Sequence, residues 1–530
     1  MSPLSLWRKF ERIRAYRDRF VTIIDKLLHL IAGNTFVIGL SSLIWLVLRT
    51  GTKLPRAAYS CQQVAAANSY VWLATCVLPP FSAIIPKMSI SLGRKRPIIT
   101  LLALAAIAPA TWRLNNTSGD SPSPASTNQT MRLTLTGRLA KLKPASDIFV
   151  LNGTSGNDHG VTKLIDLMGK QGQLFYKSPT TGKNKGPTGL IASNDTIIIK
   201  VNCQWGERGG TNTDLLKALT QAILQHPDSF DGEIIVADNG QAQYGSTGSG
   251  GSLDYSRNNA EDTSQSVQKV VDSFADSYNV STYLWDTITT KRVGEYYEGN
   301  VEDGYVVDTT LNPRTGALVS YPKFQTEFGT FCSFKLGIWN PQTQTYDTDR
   351  LKVINVPVLK AHSGFGVTAC VKHYMGVGSD KLTAQLGARA HNTIGAGGMG
   401  TEMVETRFPA LNIIDAIWVN AKPGGGPRTP YDAATRTNVI AASIDPVALD
   451  CWAAKHILLQ TSHRKGYSNV TSIDPDNTTS PSFGQWLRLS MPEISKAGYQ
   501  TTVDEAHMNV YVFQLPLGMP TPTLIPSPKD

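Results

Sequence analysis

"LKVINVPVLKAHSGFGVTACVKHYMGVGSDK", Leu351–Lys381, decides how this chain is read. It opens with an apolar, valine-rich run, "LKVINVPVL", as expected of a strand buried on both faces. The run ends near Leu359, and residues of a surface kind follow: Lys360, His362, Lys372, His373 and Lys381, interspersed with glycines and small apolar residues. Side chains alternate along an extended segment, so Lys360 and His362 point the same way. "SGFG" can turn the backbone closely past whatever lies there. "VTACVKHY" predicts the start of a helix, with its N-terminal N–H groups aimed at the same place. Two or three cations beside a helix N-terminus favour an anionic ligand, a carboxylate or a phosphate. Histidine titrates near neutral pH, so His362, His373 and their neighbour Lys372 are candidate catalytic residues, and His362 and His391 are the candidates if a metal is held. Charged segments are ordinarily solvated loops. Here the flanking core strand and the glycines argue for a built site.

Similar short runs recur: "DIFVL" (147–151), "DTIIIKVN" (195–202), "GEIIVADN" (232–239), "LNIIDAIWV" (411–419) and "TNVIAAS" (437–443). Helical patterns lie between them. In Thr211–His226, Leu215, Leu216, Leu219, Ile223 and Leu224 form a stripe behind a Thr/Asp start, and Asp262–Tyr278 is a second such segment. Near-continuous apolar strands alternating with helices predict an α/β fold with a mostly parallel sheet covered by helices. Ligands of such sheets bind beyond the carboxyl ends of the strands. Four glycine-rich loops fall there: "KVNCQWGERGGTN", "ADNGQAQYGSTGSGGS", "KAHSGFG" and "NAKPGGGP". They nominate Lys200, Asn202, Asp238 and Lys360 as ligand-binding residues, with His391 and Asp445 beside them. Asp238 is equally a helix cap, and "DPVALD" places Asp445 at a helix start. "STGSGGS" lacks the lysine of a phosphate loop.

The front of the chain is of another kind. Residues 1–110 carry fourteen Lys+Arg against three Asp+Glu, while the remainder is close to neutral. The basic balance is therefore no nucleic-acid footprint, which needs a patch on the folded part. Three apolar stretches, 27–48, 70–85 and 97–112, follow a basic, aromatic-dotted start. A bilayer core of about 30 Å takes about 20 helical residues. Only the first stretch reaches that comfortably; Pro79-Pro80 breaks the second. The expectation is a membrane anchor of one to three helices over 1–112. Three spans satisfy the positive-inside rule for the N-terminus and for "GRKR", and put the rest of the chain outside the cytoplasm; Arg49, Lys53 and Arg56 weigh against that count. A Ser/Pro/Thr-rich linker (113–145), the α/β domain (146–514) and a Pro-rich tail (515–530) complete the organisation. Six scattered cysteines with no CxxC pair speak against zinc ribbons and cysteine-ligated iron–sulfur clusters, and a disulfide such as Cys203–Cys332 is not readable from spacing.

In order, "IIIKVN", "TNTDLLKAL", "IIVADNG", "INVPVLKAHSGFGVTACVKHYMGVG", "LNIIDAIW" and "ASIDPVALDCWAAK" resemble the family catalogued as domain of unknown function 362, over about 195–455. The basic front end with "PRAAYSCQQ" resembles its membrane-attached branch. That family implies no established chemistry. A local similarity to the nickel-pincer lactate racemase family rests on His362, "GFG" and Lys372; it implies a cofactor-linked Lys372, a metal-ligating His391 and a proton-transferring His362. Paired glycines expected before the lysine are replaced by "ACV". The residues leave two classes open: an α/β domain that binds and transforms an anionic small molecule, with a metal or a nucleotide-type cofactor as options, or a non-catalytic binding or assembly module of a membrane complex.

Overall fold

The computed structural model describes residues 146–241 and 250–516. These fall in one compact unit, Arg132–Asp530. The anchor with its three candidate spans, the linker, part of "STGSGGS" and most of the tail lie outside them. Among the described residues no helix is long and apolar enough to cross a membrane.

The strands are β1 (Ser146–Asn152), β2 (Thr196–Lys200), β3 (Glu233–Asp238), β4 (Val280–Leu284), β5 (Leu351–Asn355), β6 (Val358–His362), β7 (Gly366–Thr368), β8 (Leu411–Asn420), β9 (Thr435–Ser443) and β10 (Met508–Gln514). They form one ten-stranded sheet in the order β10-β1-β9-β8-β5-β2-β3-β4, with the β6–β7 hairpin attached beside β8. Pairing from β8 through β5, β2 and β3 to β4 is parallel. β9 is the reversed strand of this path, antiparallel to both β8 and β1. The expected run 351–359 is two strands. Pro357 has no N–H to give a ladder, and at this break the Val356 N–H donates to the Lys200 carbonyl while Asp415 N–H reaches Pro357 O.

Both faces of the sheet are covered, which is why its strands read as unbroken apolar runs. Ile197, Ile199, Ile234 and Val236 pack under α1 (Gly160–Lys170), α2 (Thr213–Leu224) and α3 (Val267–Ala275), meeting Leu164, Leu215, Leu219 and Phe274. Ile198, Ile235 and Val353 face the other way. There they meet α4 (Cys370–His373), α6 (Gly398–Glu405), α7 (Pro446–Ala453) and α8 (Phe483–Lys496), together with a five-stranded antiparallel sheet. Between α4 and α6 runs the short α5 (Asp380–Gln385). Each fully buried Ile contributes about 1.5–3 kcal/mol. The small sheet (Gly304–Val307 to Thr345–Asp347) is inserted between β4 and β5 and was not foreseen. Helix starts also shift. Asn212 caps α2, accepting from the Asp214 and Leu215 N–H groups, and α3 begins only at Val267, where Ser266 takes the Lys269 N–H. The cysteines at 203, 332, 370 and 451 are free, buried thiols.

Candidate functional site

Chain order carries β2 through α2 to β3 and through α3 to β4, all on one side of β2. β5 then lands on the other side of β2, in register from Leu351 opposite Thr196 to Asn355 opposite Lys200. The order reverses here, and a crevice opens at the carboxyl ends of such strands. A cavity of about 30 Å³ lies at this point, lined by Asn202, Gln204, Trp205, Asp238, Asn239, Gln241, Lys360, Thr368, Lys372, His373, Met375, Gly376 and Pro427. All four glycine-rich loops or their immediate continuations contribute.

The floor is an ion pair. Lys200 Nζ sits 2.8 Å from Asp238 Oδ1, both groups buried, and the other carboxylate oxygen accepts the Cys203 N–H at 2.8 Å. Burial lowers the Lys200 pKa, and Asp238 offsets part of that. Lys200 is thus held behind the cavity wall. Gly376 closes over the pair: a Cβ there would stand 2.3 Å from Asp238 Oδ1 and 2.7 Å from Lys200 Nζ.

Above the floor stand two further lysines. Lys360 Nζ donates to the Gly209 carbonyl. Burial, then the charge of Lys372, brings its pKa down to about 7, against the pull of Asp238 and Asp415. Lys372 is 6% exposed. Burial alone lowers its pKa to about 7. Among the described residues it forms no ion pair and no hydrogen bond; its ammonium lies 5.4 Å from the centre of the Phe365 ring. A buried charge with no counter-charge costs several kcal/mol.

The helix carrying Lys372 and His373 is only four residues long. At its N-terminus Asp450, and not a ligand, accepts the Cys370 and Val371 N–H groups at 2.6 and 2.9 Å. Burial pushes the Asp450 pKa up to about 7 despite these bonds. His373 Nδ1 lies 2.7 Å from Asn355 Oδ1. The Asn355 amide donates to Cys370 O and Asn412 Oδ1, so its oxygen faces the ring and the proton of His373 sits on Nδ1. The Nε2 lone pair has no hydrogen-bond partner. The Val201 carbonyl lies near this ring and pulls its pKa upward, and it also accepts from Lys200 at 3.4 Å. Burial, followed by the charges of Lys200 and Lys360, keeps this imidazole neutral. Asn202 Oδ1, Thr368 Oγ1 and Trp205 Nε1 are likewise buried without partners at the cavity.

Of the residues nominated from sequence, Asn202, Asp238, Lys360, Lys372 and His373 therefore line one cavity, with Lys200 behind it. His362 and His391 do not line it. His362 ends β6, accepts the Gly364 N–H on Nδ1 at 3.1 Å and packs against Phe365, ring centres 5.3 Å apart. Burial and the Lys372 charge depress its pKa to about 2. His391 Nδ1 is 3.0 Å from Asp380 Oδ2, at the start of α5. Burial would raise the Asp380 pKa, but hydrogen bonds from His391 and Arg389 bring it down to about 2. Asp445 lies apart from the cavity lining. It caps α7 through the Val447 and Ala448 N–H groups and also accepts from Ser146 Oγ, Thr501 Oγ1 and the Thr502 N–H. Among the described residues no three His, Cys, Asp or Glu side chains gather as a metal site would need.

Thr368 was not nominated; it pairs with Lys360 across the hairpin, a contact no local pattern encodes. Trp205, a single indole in a polar glycine-rich loop, was the signal passed over. The support residues Asp450, Asn355 and Asn412 are invisible until their strands and helices meet.

No curated protein and no solved structure matches the chain. The likenesses to a membrane-attached branch and to the racemase therefore rest on their quoted residues alone. The recognised segment runs from the end of the small sheet to just past α7, and includes Lys360, His362, Lys372, His373, His391, Asp445 and Asp450, while Lys200, Asn202 and Asp238 precede it. Residues 346–455 match the model of the family described as Domain of unknown function (DUF362).

Proposed function

We propose that this protein binds an anionic small molecule, and transforms it, in the cavity at the β2/β5 switch point. The observation that carries the reading is Lys372: a buried ammonium with no carboxylate and no hydrogen-bond acceptor among the described residues, next to a second lysine whose ammonium donates to a carbonyl. Asp238, the cavity's own carboxylate, is engaged by Lys200. A bound carboxylate or phosphate would supply the missing counter-charge and restore both lysines to their charged forms. The His373 imidazole, neutral and lining the cavity, is the group best set to exchange a proton with the bound molecule.

We also propose that the domain is tethered to a membrane by residues 1–112 and lies outside the cytoplasm. The charge asymmetry and the apolar stretches support this.

The test is calorimetry on the detergent-solubilised full chain, with inorganic phosphate and acetate as probes and mass spectrometry of any co-purified molecule. Anion binding with proton uptake near pH 7 is expected, and Lys372→Met should weaken it roughly tenfold or more. An empty cavity that ignores both anions, in a protein that instead co-purifies with a stable partner chain, would replace this reading with that of an assembly module.

A further inference from the structure

The cavity around Lys372 is too small for a whole metabolite. At about 30 Å³ it has room for a few atoms, since a single water needs about 10–15 Å³. Such a space suits the head group of a ligand, and the rest must lie elsewhere. Gln204 and Trp205 also line a second, larger space of about 480 Å³. The two spaces adjoin at these residues.

The larger cleft has its own polar equipment. Thr429 is 1% exposed, and its hydroxyl has no hydrogen-bond partner. Trp205 Nε1 is a buried donor without an acceptor. Two arginines line the cleft and differ in state. Arg257 is paired with Glu207 at 3.2 Å and lies over the Tyr431 ring, and the Glu207 carboxylate also accepts the Tyr431 N–H. The Arg428 guanidinium forms no ion pair and no hydrogen bond among the described residues, and Glu207, the acidic side chain in the cleft lining, is taken by Arg257. Among the described residues the cleft therefore has an unpaired guanidinium, an unpartnered hydroxyl buried in its wall and an aromatic wall shared with the inner cavity.

We propose that the ligand is an organic molecule bearing an acidic group at each end, one seated at Lys360 and Lys372 and the other reaching Arg428, with its body against Trp205. This deepens the anion-binding reading and rests on it. Arginine suits the outer position, because its planar fork takes a carboxylate or phosphate in two parallel hydrogen bonds.

The experiment is calorimetric titration of the detergent-solubilised full chain with straight-chain dicarboxylates from succinate to suberate, each against the monocarboxylate of equal length. Alkanediol bisphosphates against alkyl monophosphates form a second arm, which reads which acid is preferred. At least one doubly acidic probe should bind roughly tenfold or more tightly than its singly acidic partner. Arg428→Gln should remove that advantage and leave the singly acidic probe unchanged; Lys372→Met should weaken both. Thr429→Val, which keeps the shape of the side chain, should weaken the doubly acidic probe alone. Equal affinities in each pair, or an advantage that survives Arg428→Gln, overturn the two-ended ligand while leaving the Lys372 anion site standing. Binding indifferent to Lys372, or no binding at all, overturns both.

Discussion

Lys372 is a residue whose place makes little sense for stability. Its removal should make the protein more robust: Lys372→Met fills the same space without a charge to desolvate. The pH dependence has a definite sign. Burial lowers the folded-state pKa to about 7, against 10.5 in the unfolded chain. The penalty is fully present below pH 7 and is relieved as pH rises from 7 toward 10.5, because only the unfolded chain stays protonated in that window. The stability advantage of Lys372→Met should therefore be largest near pH 6 and shrink steadily up to pH 10. Urea denaturation of both proteins at several pH values checks this; an advantage independent of pH would show that Lys372 has the same pKa in the folded and unfolded chain. Removing Lys372 also frees Lys360 from a neighbouring charge, so part of the gain reflects that second group. Gly376 makes the opposite case. A methyl group there meets the Asp238–Lys200 pair and lies 3.3 Å from the Asn239 carbonyl. Gly376→Ala should cost about 1–3 kcal/mol, the usual range for overpacking, as read from the same denaturation curves.

The segment "DPVALD" carries two aspartates five positions apart with separate tasks. Asp445 holds α7 to β1 and to the segment at Thr501–Thr502. Asp450 leaves the same helix to hold the start of α4, and with it Lys372 and His373. Replacing either by Ala strands buried N–H groups, at about 1–3 kcal/mol for each. The two variants should part company in ligand binding: Asp445→Ala is expected to lower the melting temperature and keep anion affinity, and Asp450→Ala to lower both. Equal loss of affinity would mean that α7 positions the site as one rigid piece. Much of this was readable beforehand. Alternation along "VLKAH" places Lys360 and His362 on one side of β6, and the run of apolar residues marks the strand. That His362 then stops outside the cavity depends on the hairpin with β7, whose turn at Gly364 takes the imidazole for itself.

For the molecule as a whole, the charge imbalance between residues 1–110 and the remainder bears on topology. A phosphatase reporter that is active only outside the cytoplasm, fused after residue 130, should be active, and a cytoplasmic reporter at the same position silent. The reverse pattern would remove the three-span arrangement, since an odd number of crossings is what carries the domain across. The α/β class, the parallel run of the sheet and the four glycine-rich loops at its carboxyl ends followed from local pattern, because strand burial and helix amphipathicity are written at short range in the order of residues. The inserted five-stranded sheet and the edge strand β10 were not, as their short or half-exposed strands lack that contrast. The site divides in the same way. Residue type and spacing alone put lysines and histidines beside a glycine turn at a strand end. Only the tertiary structure decided which of them face one cavity, which are tied to Asp380 or Asp238, and that Lys372 has no partner among the described residues. Burial, pairing and the pKa values they set come from groups far apart in the chain, and no local pattern encodes what a side chain will find opposite it.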